Sequence, residues 1–519
     1  MSLLDSAVLA RLQAEFGLSM KALLTALCQD LDLQYAKIAQ TLSLPVGYFR
    51  YLGQVIEQEQ YVHWKVVGWI EALNDLVYFI DLLRQYRVES DRAEFAKQLL
   101  AECQEKFFEN SYVDDLFPRS LPHVAGLGGR LHRLCARLAQ EVTQESLFLV
   151  PGLPSEWVSK QKQLAWHVEG RLRSNYERAE PEGIIAVGLS GAYIVASIAS
   201  KRRLTESNGR CIFVVEPRNM SLVVKRICEP LCVVSNRVVM WNWAHRPPIA
   251  LSQRGTRPVT VGPTLIYRKD HQPRTVARTD LKQVDRIGRA WRTIREAWPE
   301  GCKILARLTS RIIPLNAKGV VSFSYRHRPG LSFINCFDRD NLDLIDDLVH
   351  ENSHHHLNLL LRKHVLYHGD HNRQIFYSPW RRSLRPMRGI LHATFTFTMG
   401  ALLFERLSLF GRKHKHGWRR TGLTDHDLLR ARFRCLEELE SVRYSIQDLE
   451  YADRHLGWLT GSGRRLVGQL AQATTKVERK MAPYKKLVLQ SKLGPALRGH
   501  IDELRKARMT YGPVRLSHV

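Results

Sequence analysis

The sequence predicts an α+β, predominantly helical fold, with a helical N-terminal domain and a metal-bearing helix packed beside a small sheet. Three observations predict it. Apolar residues recur at helical spacing through the first 150 positions, as in Leu9, Leu12, Phe16 and then Leu23, Leu24, Leu27. β-Branched runs bounded by Pro, Asn and Gly follow, at CIFVVEP (211–217), SLVVKRI (221–227) and LCVVSNRVVMW (231–241). The last third returns to helical spacing without internal Pro or Gly over 341–362.

The chain has 519 residues, enough for about three domains at roughly 100–200 residues each. Its 45% hydrophobic and 25% charged residues are ordinary globular values, which excludes a disordered, collagen-like or multi-span membrane protein. With 77 basic against 51 acidic residues the net charge is +26, which favours encounter with polyanions, acidic peptides or anionic surfaces. Nine scattered cysteines form no CxxC pair, so a reducing, cytoplasmic setting is expected. The first 16 residues lack the basic and apolar regions of a signal peptide. Gly183 to Ser200 is an uncharged stretch of 18 residues, but three Gly and three Ser interrupt it, and a buried strand-turn-helix is expected there rather than a membrane span.

Taken in order, residues 1–150 read as a helical domain. Ile38 to Leu52 has the spacing of a helix-turn-helix, yet beyond Arg50 the second helix carries little that suits base edges, so a plain helical hairpin is expected. Residues 151–300 read as a mixed α/β domain, with a polar loop over 244–280 and a helix from Asp285 to Trp298. Residues 301–460 hold a hairpin around Arg328-Pro329-Gly330 and then helices over 341–362, 385–410 and 424–450. The segment 461–519, with 13 basic and 3 acidic residues and a helix over 465–480, reads as a basic helical tail whose charges face solvent.

The chemistry concentrates in Asp346-Asp347-Leu348-Val349-His350-Glu351-Asn352-Ser353-His354-His355-His356, which contains HExxH. On a helix His350 and His354 lie one turn apart on the same face, where two imidazoles can chelate one metal, and Glu351 sits beside them as the candidate catalytic residue. This is the zincin-like arrangement. Seven of the 21 histidines fall between positions 350 and 371, and His364 and His368 form a second pair four apart. His355 and His356 point off the 350/354 face. A third ligand is needed. Position 357 is Leu where a metzincin would continue, which leaves His392 and Glu405. Around His392 lie Tyr377-Ser378-Pro379-Trp380-Arg381-Arg382 and Arg385-Pro386-Met387-Arg388. Arginines so close to a metal suit a dicarboxylate, which a guanidinium pairs bidentately. Tyr377, Trp380, Phe395 and Phe397 are candidates for a dry pocket wall or for core packing.

The order of hairpin, LVHENSHHHLNLLL and YSPWRRSLRPMRGILHATFTF resembles the HExxH-motif family of iron(II)- and 2-oxoglutarate-dependent peptide β-hydroxylases of natural-product pathways, densely from about Ile312 to Leu407. The resemblance implies His350, His354 and His392 as metal ligands, Arg381 or Arg385 for the distal carboxylate of 2-oxoglutarate, and Fe(II), 2-oxoglutarate and O2 as cofactors. It implies a peptide substrate, which the basic surface would suit if acidic. His355-His356, the basic stretch 411–420 and residues 1–150 depart from the family pattern. Two other readings stand beside it: a zinc (Zn) metallopeptidase with Glu351 as general base, and a non-catalytic protein that binds nucleic acid through its basic C-terminus.

Overall fold

The computed structural model describes residues 5–42, 44–88, 126–146, nine short strands between 164 and 275, and 281–512 apart from 414–417 and 419–420. Helices dominate, with a small mixed sheet between them. The uncharged stretch 183–200 and most of the basic stretch 411–420 lie outside the described residues.

The N-terminal region is helical as the apolar spacing requires: α1 (Ser6–Leu33), α2 (Ala36–Thr41), α3 (Val46–Val55), a 3-10 turn at Gln58–Val62, α4 (Trp64–Val88) and α5 (Leu127–Ser146). Asp5 caps α1 by accepting from the amides of Ala7 and Val8, satisfying two donors that the first turn leaves open. The α2–α3 pair is a packing hairpin. Tyr48, Phe49 and Leu52 are buried, and Arg50 pairs with Asp32 instead of standing free for a phosphate or a base.

β1 (Leu164–Arg171), which the sequence pattern does not mark, forms one antiparallel sheet with β2 (Asn208–Glu216) and β3 (Ser221–Val223), and the β-branched runs supply β2, β3 and the hairpin of β4 (Cys232–Val234) and β5 (Arg237–Val239). β6 (Ile249–Ala250) and β7 (Thr260–Val261) join a five-stranded sheet, and β8 (Leu265–Tyr267) pairs with β9 (Pro273–Thr275) inside the expected loop 244–280. Helices α6 (Leu281–Ala297) and α7 (Pro299–Leu308) lead to β10 (Arg311–Leu315), β11 (Phe323–Ser324) and β12 (Leu331–Asn335). The five-stranded sheet runs β11-β12-β10-β7-β6, with β10 parallel to both β12 and β7 and buried at all five residues. The apolar run Ile312–Leu315 is what a strand covered on both faces needs.

The rest is α8 (Asn341–Lys363), the hairpin β13 (Gln374–Ser378) and β14 (Ser383–Pro386), then α9 (Met387–Lys413), α10 (Asp425–Arg454), α11 (Gly461–Gln490) and α12 (Gly494–Tyr511). One expectation is corrected here. Arg385 and Pro386 end a strand, and α9 starts at Met387, because Phe376 and Tyr377 draw Arg385 and Leu384 into a ladder before the helix begins. The basic tail is also a packed part of the fold: Leu466, Leu470, Val477, Met481 and Val488 of α11 and Leu497 of α12 are buried in the main core. That core begins with Leu9 and Leu12 of α1 and contains Leu344, Ile345, Leu348 and Leu357 of α8. Among the described residues no helix is long and apolar enough to cross a membrane.

Candidate metal centre

Helix α8 is prepared for polar work by its two neighbouring stripes. Its N-terminus is closed by a capping box, in which Asp340 accepts from the Asp343 amide at 2.9 Å and Asp343 accepts from the Asp340 amide at 3.1 Å. One stripe, Asp347-Glu351-His355, faces the β11–β12 hairpin. Ser322 Oγ donates to Asp347 at 2.7 Å, the Ser324 hydroxyl holds the Glu351 carboxyl, and Ser332 Oγ lies 3.0 Å from His355 Nε2. The Gly330 amide donates to His355 Nδ1 at 3.3 Å, so Nε2 carries the proton that goes to Ser332. Gly330 occupies a left-handed turn, φ 89°, with Ser310 and Leu308 O packed where a Cβ would stand. His355 is therefore a buried structural tie between helix and hairpin.

The adjacent stripe, Asp346-His350-His354, faces α9 and α10. The His350 and His354 rings lie 4.9 Å apart at 81°. One donor atom from each of His350, Glu351 and His354 falls within 4.8 Å of the others, a grouping that can hold a metal ion. His392, on the second turn of α9, puts its ring 6.4 Å from that of His354. Two imidazoles bound at ~2.1 Å to one ion hold their centroids roughly 5–6 Å apart, so His392 stands slightly farther from His354 than two ligands of one ion do. Among the described residues none of these three rings has a hydrogen-bond partner, and Glu351 Oε2 is buried without one. Three unpartnered imidazoles beside an orphaned carboxyl oxygen fit a cation, whose coordination would replace the missing bonds.

Burial sets the charge state. It pushes His350 down to about 4 and His354 and His392 down to about 3, so all three rings are neutral and able to ligate at neutral pH. Burial also pushes Glu351 up to about 8 against the pull of Ser324.

The site has a wall and an outer layer that the linear spacing does not reveal. Phe397 meets the His350 ring at 5.2 Å, edge to face, and Trp380 stacks on Phe397 at 4.2 Å and 5°. Trp380 Nε1 donates to Glu438 on α10 at 2.9 Å. Arg434 donates to Asp346 at 3.0 Å and to Glu438 at 3.4 Å. Phe395 and Tyr377 belong to the packing instead: Phe395 abuts His356, and Tyr377 lies among Tyr444, Leu504 and Ala507.

The expected residues separate accordingly. His350, Glu351 and His354 come together, and His392 lies next to His354 but outside that donor group. After burial, the Arg434 charge and then that of Arg381 depress His350, and His354, Arg326 and Arg388 do the same to His392. Arg385 folds back over Gly389 in the first turn of α9, 3.8 Å from where a Cβ would be, and no described interaction joins it to the three rings. Glu405 is corrected as a ligand candidate. It is fully buried, ion-paired with Lys480 at 3.0 Å and Arg406 at 3.4 Å, and lies 13 residues or about 20 Å beyond His392 along α9. His364 and His368 do not form a helical pair, since α8 ends at Lys363 and His364 is its C-cap. His355 and His356, expected off the ligating face, are buried.

Neither a protein-family model nor a curated protein matches this chain.

Proposed function

We propose that the chain is an iron(II)- and 2-oxoglutarate-dependent oxygenase that hydroxylates a side-chain β-carbon of a peptide. The observation that carries this reading is the positive field at the imidazoles: burial apart, His350 feels Arg434, which is paired with Asp346 and Glu438, and then Arg381 on the exposed β13–β14 turn, while His392 feels Arg326 and Arg388. Cations around a cation site are counterproductive unless an anionic co-substrate is shared between them. His350, His354 and His392 would hold the metal from two helices and leave its remaining positions open, the logic of facial-site oxygenases. Bound iron and 2-oxoglutarate would supply the oxidation: decarboxylation to succinate and CO2, with one oxygen atom of O2 entering a C–H bond. Arg381, from the β13–β14 turn, is the arginine assigned to the distal carboxylate, with Arg388 next. Trp380 and Phe397 would exclude water on the His350 side and orient the substrate. The basic outer face of α11 suits an acidic or extended peptide.

A zinc peptidase is the second reading, favoured by one observation: Glu351 sits within reach of both histidine donors, as a general base would. Replacing Arg381 separates the two. The oxygenase loses 2-oxoglutarate affinity in Arg381→Ala by about tenfold or more, the cost of a lost charge-assisted pair. A peptidase keeps its peptide-bond cleavage, and that result together with tight zinc and no 2-oxoglutarate consumption would overturn the proposal.

A further inference from the structure

The turn that carries Trp380 and Arg381 is a strained piece of backbone held from inside the protein. Between β13 and β14, the amides of Arg381 and Arg382 both donate to Ser378 O, at 3.2 and 2.8 Å. Arg382 takes φ 50°, a left-handed conformation that a residue with a Cβ adopts at a cost. Arg381 and Arg382 are exposed, so the pair itself contributes little packing. Arg382 pairs at the surface with Glu503 at 3.0 Å, and the interior anchor of the turn is the residue between Pro379 and Arg381. The Trp380 indole stacks on Phe397, whose own ring meets His350, and its N–H is spent on Glu438 Oε2. Glu438 is 3% exposed, and its other oxygen is held by Arg434, which also grips Asp346 one turn before His350. A carboxylate so deeply placed needs a reason, since burying it is costly unless its bonds are made.

We propose that Glu438 is a positioning residue for the metal centre: it anchors the Trp380 indole, and through it holds the Arg381 turn against the His350 side of the site. The assignment of Arg381 to an anionic co-substrate rests on the function proposed above; the anchoring of the turn does not. The described side-chain partners of Glu438 are Trp380 and Arg434, and no described contact joins it to His350. It acts through Trp380, and so governs how often Arg381 stands where it can reach a carboxylate.

The test is limited tryptic cleavage of the metal-loaded, full-length protein, followed by mass spectrometry. Arg381 and Arg382 are both tryptic positions in this exposed turn, and Arg385 is protected by Pro386 after it, so cleavage there reports opening of the turn. Glu438→Leu removes the acceptor, and Trp380→Phe removes the donor while keeping a ring on Phe397. Each is expected to speed cleavage at 381–382 about tenfold, or about 1.4 kcal/mol in the opening equilibrium. Glu438→Gln, which keeps an acceptor oxygen for the indole, is expected to stay within threefold of the parent. If Glu438→Leu does not fold, Trp380→Phe and Glu438→Gln carry the comparison alone. Unchanged cleavage in Trp380→Phe overturns the anchor, and so does Glu438→Gln behaving like Trp380→Phe. Turnover is a separate readout. If the parent forms succinate, Trp380→Phe raises the KM for 2-oxoglutarate more than it lowers kcat, and the reverse split contradicts a positioning role. If the parent forms none, the functional reading fails while the cleavage pattern still decides the anchor.

Discussion

His350 and His354 differ from the other histidines of α8 in what their rings touch. His355 gives both nitrogens to the β11–β12 hairpin, whereas the 350/354 pair has no hydrogen-bond partner among the described residues. A His350→Ala, His354→Ala double change is expected to abolish stoichiometric metal binding without unfolding the chain, read by metal analysis beside thermal melting. His392→Ala is expected to weaken binding while leaving it measurable, because the helix pair alone still chelates. Burial of His355 and His356 also has a sign. Their pKa values fall to about 3 and about 4, below the ordinary 6.5, so the folded state binds fewer protons than the unfolded chain. In the metal-free protein, stability from these groups is complete above pH 6.5 and is lost as pH drops below it, by up to about 1.4 kcal/mol per pH unit per ring. His356→Leu flattens that acid limb in denaturant titrations at pH 4.5 to 7; a parallel limb would contradict the account.

At the scale of elements, the site depends on α8 being tied to a hairpin on one side and to two helices on the other. The hairpin tie passes through Gly330, whose left-handed φ and close neighbours leave no room for a side chain. Gly330→Ala is therefore expected to cost at least about 1 kcal/mol in unfolding free energy. The helix tie passes through Asp346, Arg434 and Glu438. These elements were unequally legible. HExxH with its flanking Leu and Val pairs marks α8 within a residue of its observed ends, because a helix face is a local pattern. His392 was readable as a candidate ligand, though not its distance from His354. The β13–β14 hairpin was not readable, since Arg381-Arg382-Ser383 lacks the Asn-Gly or Gly that usually marks a tight turn; tertiary anchoring of Trp380 replaces that local signal. Glu438 was invisible for a similar reason. Among the acidic residues Glu437, Glu438 and Glu440 of one helix, only the fold shows which one is buried against an indole.

In the whole molecule, the metal helix shares one apolar core with α1 at one end of the chain and α11 and α12 at the other. The sequence suggested an N-terminal unit and a solvated tail, because amphipathic helices announce an apolar face without naming the surface it covers. Leu12→Ala, in the α1 end of this core, is expected to destabilise the protein by about 2–5 kcal/mol, read by denaturant unfolding. α12 reaches back to the site hairpin: Tyr511 stacks on Tyr377 at 5.2 Å, and Arg382 pairs with Glu503 at 3.0 Å. The high positive charge then serves a folded surface rather than a loose tail, and a peptide substrate drawn to it should bind more weakly as salt rises.

The central claim is that three half-buried imidazoles hold iron for 2-oxoglutarate chemistry, and succinate formation tests it most directly. The full-length protein, stripped of metal and reloaded with iron(II) without oxygen, is mixed with 2-oxoglutarate and then exposed to air. The account predicts succinate from the parent protein, none from the His350→Ala, His354→Ala double variant, and none when zinc replaces iron. Absence of succinate from an iron-loaded parent that binds 2-oxoglutarate no better than the Arg381→Ala variant would contradict it.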